Sequence, residues 1–242
     1  MNGVKHDYCF RECILSMLRV CNEVVVGYSD SLDGIDDGTR DALNGIDSRV
    51  RVIDHTEWMR ENPTGPRWFV EWMNHIRRHL RFETQLWLDA DEVLSESAVV
   101  PVCTPTLFRR LNFWKDTSHL CPEGTVCASW VTRSGPTAYW MPSDDPNMKP
   151  GEERIIREAG HTQNPPEIFH YGFLRKPEAF LTKSRFFQPV LIGGYDPRLQ
   201  AAERDTSKHW VEFAPFEQPL IPIQRAHPRI AHQWLRDRGH AV

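Results

Sequence analysis

The chain has 242 residues, 40% hydrophobic and 26% charged, with a net charge of −4; this is the profile of an ordinary folded protein with room for one sizeable α/β domain, and it excludes a disordered or fibrous chain. The mild acidity gives no global electrostatic case for a polyanionic partner, although a local basic face is compatible with it. Apolar runs such as residues 23–28 fall far short of the roughly 20 residues a membrane span needs, and no basic-then-apolar signal opens the chain, so a cytoplasmic protein without a span is expected.

Cys9, Cys13, Ile14, Met17 and Leu18 recur at helical spacing between Tyr8 and Val20, which predicts an amphipathic helix packed on a sheet. The six cysteines offer no CxxC pair of zinc-ligand spacing and read as reduced, packed thiols. The β-branched run Val24-Val25-Val26 follows as a short buried strand. Beyond it, Ser29 to Thr39 is an Asp- and Gly-rich loop in the position where α/β folds bind ligands. Thr39 to Leu43 opens a helix, and Arg49 to Asp54 alternates as the next strand.

A second crossover helix is expected over Pro66–Leu80, with Arg77, Arg78 and His79 on its solvated side, although Arg81 and this cluster could also grip a phosphate. Thr84 to Leu88 then reads as a strand ending in Asp89-Ala90-Asp91-Glu92. Further on, Leu107–Phe113 is a short helix or strand, and Val126–Val131, Ile155–Ile156 and Ile168–Tyr171 are strands. Arg133–Gly151 is a Pro- and Asp-rich loop, and Lys176–Phe187 a helix. Residues 1–197 are read as one domain, with 198–242 an appendage packed on it and helix-like at Trp234–Arg236. The nine tryptophans are expected mostly to serve packing.

Asp89 and Asp91 carry the sharpest chemical signal. Two carboxylates one residue apart at a strand end can meet one divalent cation, directly and through water, and leave positions open for phosphate oxygens. A hard ion so placed assists departure of a diphosphate. The bland alternative is a chance DxD in an acidic loop.

In chain order, four segments carry a resemblance: Glu23-Val24-Val25-Val26; Asp30-Ser31-Leu32-Asp33-Gly34 with Gly38-Thr39; Leu88-Asp89-Ala90-Asp91-Glu92-Val93-Leu94; and Ile168-Phe169-His170-Tyr171-Gly172 followed by Arg175-Lys176-Pro177. Together they resemble family 2 glycosyltransferases of the bacterial and phage branch, over roughly residues 2 to 185. The resemblance implies a GT-A fold, Rossmann-like with a mixed central sheet, and a nucleoside-diphosphate sugar as donor, UDP-linked by preference. It implies Mn²⁺ or Mg²⁺, with Asp89, Asp91 and His170 as ligands, and nucleotide contacts from Asp30, Asp33 and Asp89. The family's opening strand has no counterpart before Asn2: either the start is truncated or another segment fills that strand, and the sheet as given is expected to lack it. Asn2 is then expected near the nucleotide, with a strand from elsewhere or a second subunit, as in a homodimer, covering the open edge.

Inverting transfer needs a carboxylate to take the acceptor hydroxyl's proton. Asp144 is the first choice and Asp145 the second, against the alternative of an Asx turn before Pro146. The acceptor is a surface glycan or a hydroxymethylated base in phage DNA. Two rival readings stay open: a metal-dependent nucleotidyltransferase, and a non-catalytic sugar- or nucleic-acid-binding protein on the same scaffold.

Overall fold

The computed structural model describes residues 3–30, 36–61, 68–82, 84–100, 106–121, 130–132, 165–191, 204 and 219–242, and is a mixed α/β structure with both parallel and antiparallel strand pairs. Helix α1, Phe10–Met17, precedes strand β1, Val24–Tyr28. Helix α2, Thr39–Leu43, then leads to strand β2, Val50–Asp54, which runs parallel to β1 with Val24 opposite Val50 and Tyr28 opposite Asp54. Ile14 of α1 and Leu18 at its C-terminal cap close over Val24, Tyr28 and Leu43 in one apolar cluster, so the helical spacing of the sequence becomes the packing of this unit.

Helix α3, Thr56–Glu61, has no counterpart among the expected elements. It starts where Asp54 Oδ1 accepts the Thr56 N–H at 2.9 Å, a short-range contact that turns the chain directly off the strand. Helix α4, Trp68–Arg77, crosses β1 at Gly27, where a Cβ would lie 2.3 Å from Ile76 Cδ1. A side chain at this position would have to push the Ile76 side chain aside. Arg77 is 1% exposed, and its Nε donates to Gln85 Oε1 at 3.0 Å. It therefore belongs to the interior and not to the expected solvated face.

Strand β3 is shorter than expected, Gln85–Leu86, and joins an antiparallel sheet in the order β3, β8, β5, where β5 is Thr106–Leu107 and β8 Trp130–Thr132. Among the described residues β1 pairs only with β2. A cavity of about 430 Å³ is lined by Val24 and Val25 of β1 and by Gln85, Leu86 and Trp87.

The larger sheet has five strands: β4, Glu92–Leu94; β6, Arg109–Trp114; β7, His119–Leu120; β9, Glu167–Phe173; and β10, Ile221–Pro222. Their order is β10, β7, β6, β9, β4, with β9 parallel to β6 and antiparallel to β4. Residues 107–113, left open between helix and strand in the sequence, are almost wholly extended. Helix α5, Pro177–Leu191, leaves the end of β9, and helix α6, His232–Arg236, lies near the C-terminus.

Trp234 and Leu235 of α6 enter the same core as Val93, Leu111, Phe113, Phe169 and Tyr171. Each such side chain removed from water contributes about 1.5–3 kcal/mol, so the end of the chain is an integral part of the sheet's packing. His227 Nε2 donates to the Thr117 carbonyl at 3.0 Å, which leaves its Nδ1 to accept the Tyr171 hydroxyl at 2.9 Å. Among the described residues no helix is long and apolar enough to cross a membrane. Cys9, Cys13, Cys21 and Cys121 are free thiols.

Candidate active site

The acidic motif forms the turn between β3 and β4, not the tip of one long strand. The Glu92 N–H donates to the Asp89 carbonyl at 3.0 Å, and the Asp89 N–H donates to Glu92 Oε2 at 2.8 Å. Helix α1 backs this turn: the Cys13 thiol donates to the Asp89 carbonyl at 3.3 Å, and the Ser16 hydroxyl accepts the Leu94 N–H at 3.1 Å. Burial pushes both Cys9 and Cys13 well above the ordinary thiol range, so they act as packed weak donors and not as nucleophiles.

The turn sends its two aspartates to different places. Asp89 Oδ1 accepts the Trp87 indole N–H at 3.1 Å. Asp91 is buried, and the Tyr171 N–H donates to its carbonyl at 2.9 Å, fixing the turn against β9. Glu92, opposite His170 in the sheet register, is wholly buried and meets Arg110 at 3.3 Å.

Asp91 Oδ2 is a point of convergence. His170 Nε2 lies 3.6 Å from it and Lys183 Nζ of α5 3.5 Å, while the Arg175 guanidinium forms a direct ion pair with it. Burial alone would raise the Asp91 carboxyl; Lys183, then Arg175 and His170, outweigh it and hold the group well below the usual carboxylate range. Gly172 borders the same spot. A Cβ there would lie 2.5 Å from His170 Nε2 and 3.0 Å from Asp91 Oδ2.

The opening residues complete the site. The Arg175 guanidinium stacks on the Tyr8 ring at 4.1 Å, the Lys183 ammonium lies 5.0 Å from the same ring, and Arg175 also donates to the His6 carbonyl at 3.5 Å. Burial, then the charges of Arg175 and Lys183, lower the His6 pKa to about 4, so this histidine is neutral at pH 7. The same segment reaches the loop after β1, where the Lys5 N–H donates to Asp37 Oδ2 at 2.8 Å and the Val4 N–H to Thr39 Oγ1 at 2.9 Å. Residues 4–8 thus link the Asp- and Gly-rich loop to the acidic turn.

Of the residues singled out in the sequence, Asp91 and His170 are brought together. Asp89 is one turn away on Trp87. Asp30 stands at the end of β1, where it accepts the Tyr28 hydroxyl and its N–H donates to Thr56 Oγ1 at 2.9 Å. Asn2, Asp33, Asp144 and Asp145 lie outside the described residues.

A divalent cation fits this donor set in part. Among the described residues no group of three or more His, Cys, Asp or Glu side chains is placed to hold a metal ion, so Asp89 does not complete a triad with Asp91 and His170. Two protein ligands are nonetheless the usual complement where substrate phosphates supply the rest. The buried His170 Nδ1 has no hydrogen-bond partner among the described residues, and its Nε2 is turned to Asp91 at 3.6 Å, packed against Gly172. Imidazole with one carboxylate suits Mn²⁺ better than Mg²⁺.

Sequence reasoning placed Gly172 and Arg175 in the same motif as His170 but gave them no role, and it missed Lys183 and Tyr8 altogether. Arg175 follows His170 by five residues just off β9, and its place in that motif is the signal that could have drawn it into the site. Comparison of the chain with protein-family models, curated proteins and solved structures finds no match.

Proposed function

We propose that the chain is a GT-A-type glycosyltransferase that moves a sugar from a nucleoside-diphosphate donor, UDP-linked by preference, to an acceptor hydroxyl with inversion. The observation that carries this reading is the convergence of Asp91 Oδ2 and His170 Nε2, 3.6 Å apart, beside Gly172 in a mixed α/β scaffold. Asp91 and His170 would hold a Mn²⁺ or Mg²⁺ ion. When bound, such an ion offsets the charge that develops on a leaving diphosphate.

The remaining roles fall to the chain's own groups. Arg175 is a positioning residue: it fixes the Asp91 carboxylate in its ionised form from a side chain that has no exposure of its own. Asp89, with Asp30 and Asp33 across the loop after β1, would orient the ribose and base, and Asn2 would border the same pocket. Asp144, or Asp145 beside it, would take the acceptor's proton, a contribution of typically 10²- to 10⁴-fold. A surface glycan or a hydroxymethylated DNA base is the acceptor class, and cytoplasmic action matches a soluble nucleotide-sugar donor.

The test is release of nucleoside diphosphate from a panel of nucleotide sugars supplied with Mn²⁺. Turnover that depends on Asp91 supports the transferase. Pyrophosphate formed from a nucleoside triphosphate and a sugar phosphate would identify a nucleotidyltransferase. Ligand binding without either product would identify a binding protein.

A further inference from the structure

Among the described residues β1 and β3 belong to different sheets, and the cavity of about 430 Å³ opens between them. It touches β1 at Val24 and Val25, the amino end of the strand, whereas the loop with Asp30 leaves the carboxyl end. A nucleotide is expected at a carboxyl end, so the cavity is a separate site. Its size falls among small-molecule pockets, which span about 300–1,000 Å³, and Met17, Val20, Val25, Ile76 and Leu86 give it apolar walls. One polar group there is unmet. Gln85 lines the cavity and is 6% exposed, and its Oε1 accepts the Arg77 Nε–H at 3.0 Å. Because a guanidinium only donates, this contact fixes the amide with its oxygen toward Arg77 and its nitrogen away. The buried Nε2 has no hydrogen-bond partner among the described residues, and a buried donor left unmade is costly. An acceptor that enters the cavity meets it. A charged ligand finds no such match: Glu23 is the one charged side chain among the described lining residues, and Arg51 and Arg81 already stand 3.8 Å from it. Burial pushes the Cys21 thiol up to about 11, so this wall group is neutral at pH 7. An ion would therefore shed its water without gaining a counter-charge.

We propose that the cavity between β1 and β3 binds a small neutral molecule with an apolar body and one hydrogen-bond acceptor, a carbonyl or ether oxygen that accepts from Gln85 Nε2. The ligand class follows from the lining alone and does not depend on the transferase reading. Trp87 also lines the cavity, and its indole N–H donates to Asp89 Oδ1 at 3.1 Å. The occupant thus rests on the side chain that holds one aspartate of the acidic turn.

The test is a fluorescence titration of the full chain with Prodan, a neutral naphthalene ketone whose emission moves to the blue in an apolar site. The bound probe is then displaced with methyl naphthyl ketone and with ethylnaphthalene, which share the ring system and differ in the carbonyl. Saturable binding of one probe per chain is expected, with the ketone the better competitor by about tenfold, as for one net hydrogen bond. Val25→Trp and Val100→Trp each fill the space from a half-buried wall position and should abolish binding with little change in melting temperature. Gln85→Glu keeps an acceptor for Arg77 but removes the donor, so it should retain the probe's apolar contacts and lose the preference for the ketone. Absence of saturable binding to the wild type, or binding that survives both tryptophan substitutions, would overturn the proposal. Equal displacement by the two competitors would overturn it too, because the Gln85 amide would then select nothing.

Discussion

Arg175 and Asp91 form a buried ion pair that joins the end of strand β9 to the turn before β4, with the arginine side chain wholly enclosed and the aspartate side chain 6% exposed. Two charges taken this far from water are costly unless each satisfies the other. Asp91 therefore has a structural duty besides any it has toward a ligand. Substitution by Asn, which the sequence alone would predict to spare the fold, is now expected to abolish nucleotide release and to destabilise the protein by about 3 kcal/mol, because the Arg175 charge is left buried without a counter-charge. Denaturant unfolding of the variant checks the second half. Unchanged stability would mean that Arg175 finds another anion.

Gly172→Ala should separate site from fold. The added methyl meets His170 Nε2 and Asp91 Oδ2, and the imidazole can swing aside, so the melting temperature should change little. Nucleotide release should fall on the order of 10²-fold, the usual loss when a group stabilising transition-state charge is displaced. Activity close to wild type would show that the placement of His170 against Asp91 is not used.

Removal of the cation is the next check. Excess EDTA should abolish nucleotide release, and Mn²⁺ should restore it at lower concentration than Mg²⁺. His170→Gln should raise the Mn²⁺ concentration needed for half-maximal activity by about tenfold or more, in keeping with the loss of one ligand. Full turnover in EDTA would exclude the Asp91 and His170 assignment.

Acid should weaken the fold in two steps. His6 and His55 are buried and lowered from 6.5 to about 4, His6 by burial and then Arg175 and Lys183, His55 by burial and then His75 and His79. Between those pH values the unfolded chain binds protons that the folded chain refuses, so stability rises with pH there and is lost as pH falls from 6.5 toward 4. Asp91 acts lower: its folded pKa is depressed, so its contribution is full above the unfolded aspartate's pKa of about 3.9 and disappears as pH drops through the folded value. Melting temperatures measured from pH 7 to 4 should decline, and His6→Asn with His55→Leu should flatten the decline. An unaltered slope in the double variant would refute the assignment.

Much of the scaffold is legible in the sequence because its signals are local. The helical spacing of Cys13, Ile14 and Leu18, the Val24–Val26 run and the alternation of Val50 and Val52 each declare an element and its buried face. The acidic turn is legible as chemistry but not as geometry. Alternation in a strand would put Asp89 and Asp91 on one face, whereas the hydrogen bonds between Asp89 and Glu92 fold a turn that sends Asp89 to Trp87 and Asp91 inward. Arg175 and Arg77 could not be recognised as interior residues, because a cation is buried only where a distant partner receives it, Asp91 for one and Gln85 for the other. The placement of β9 between β4 and β6 is likewise a long-range pairing that no window of sequence contains.

The central claim is that Asp91 and His170 form one half of a cation and diphosphate site, and calorimetric titration of UDP into the protein tests it most directly. The account predicts UDP binding in Mn²⁺, no binding in EDTA, and at least tenfold weaker binding to Asp91→Asn and to His170→Ala in Mn²⁺. Equal affinity for UDP with Mn²⁺ and with EDTA, unaffected by either substitution, would contradict it.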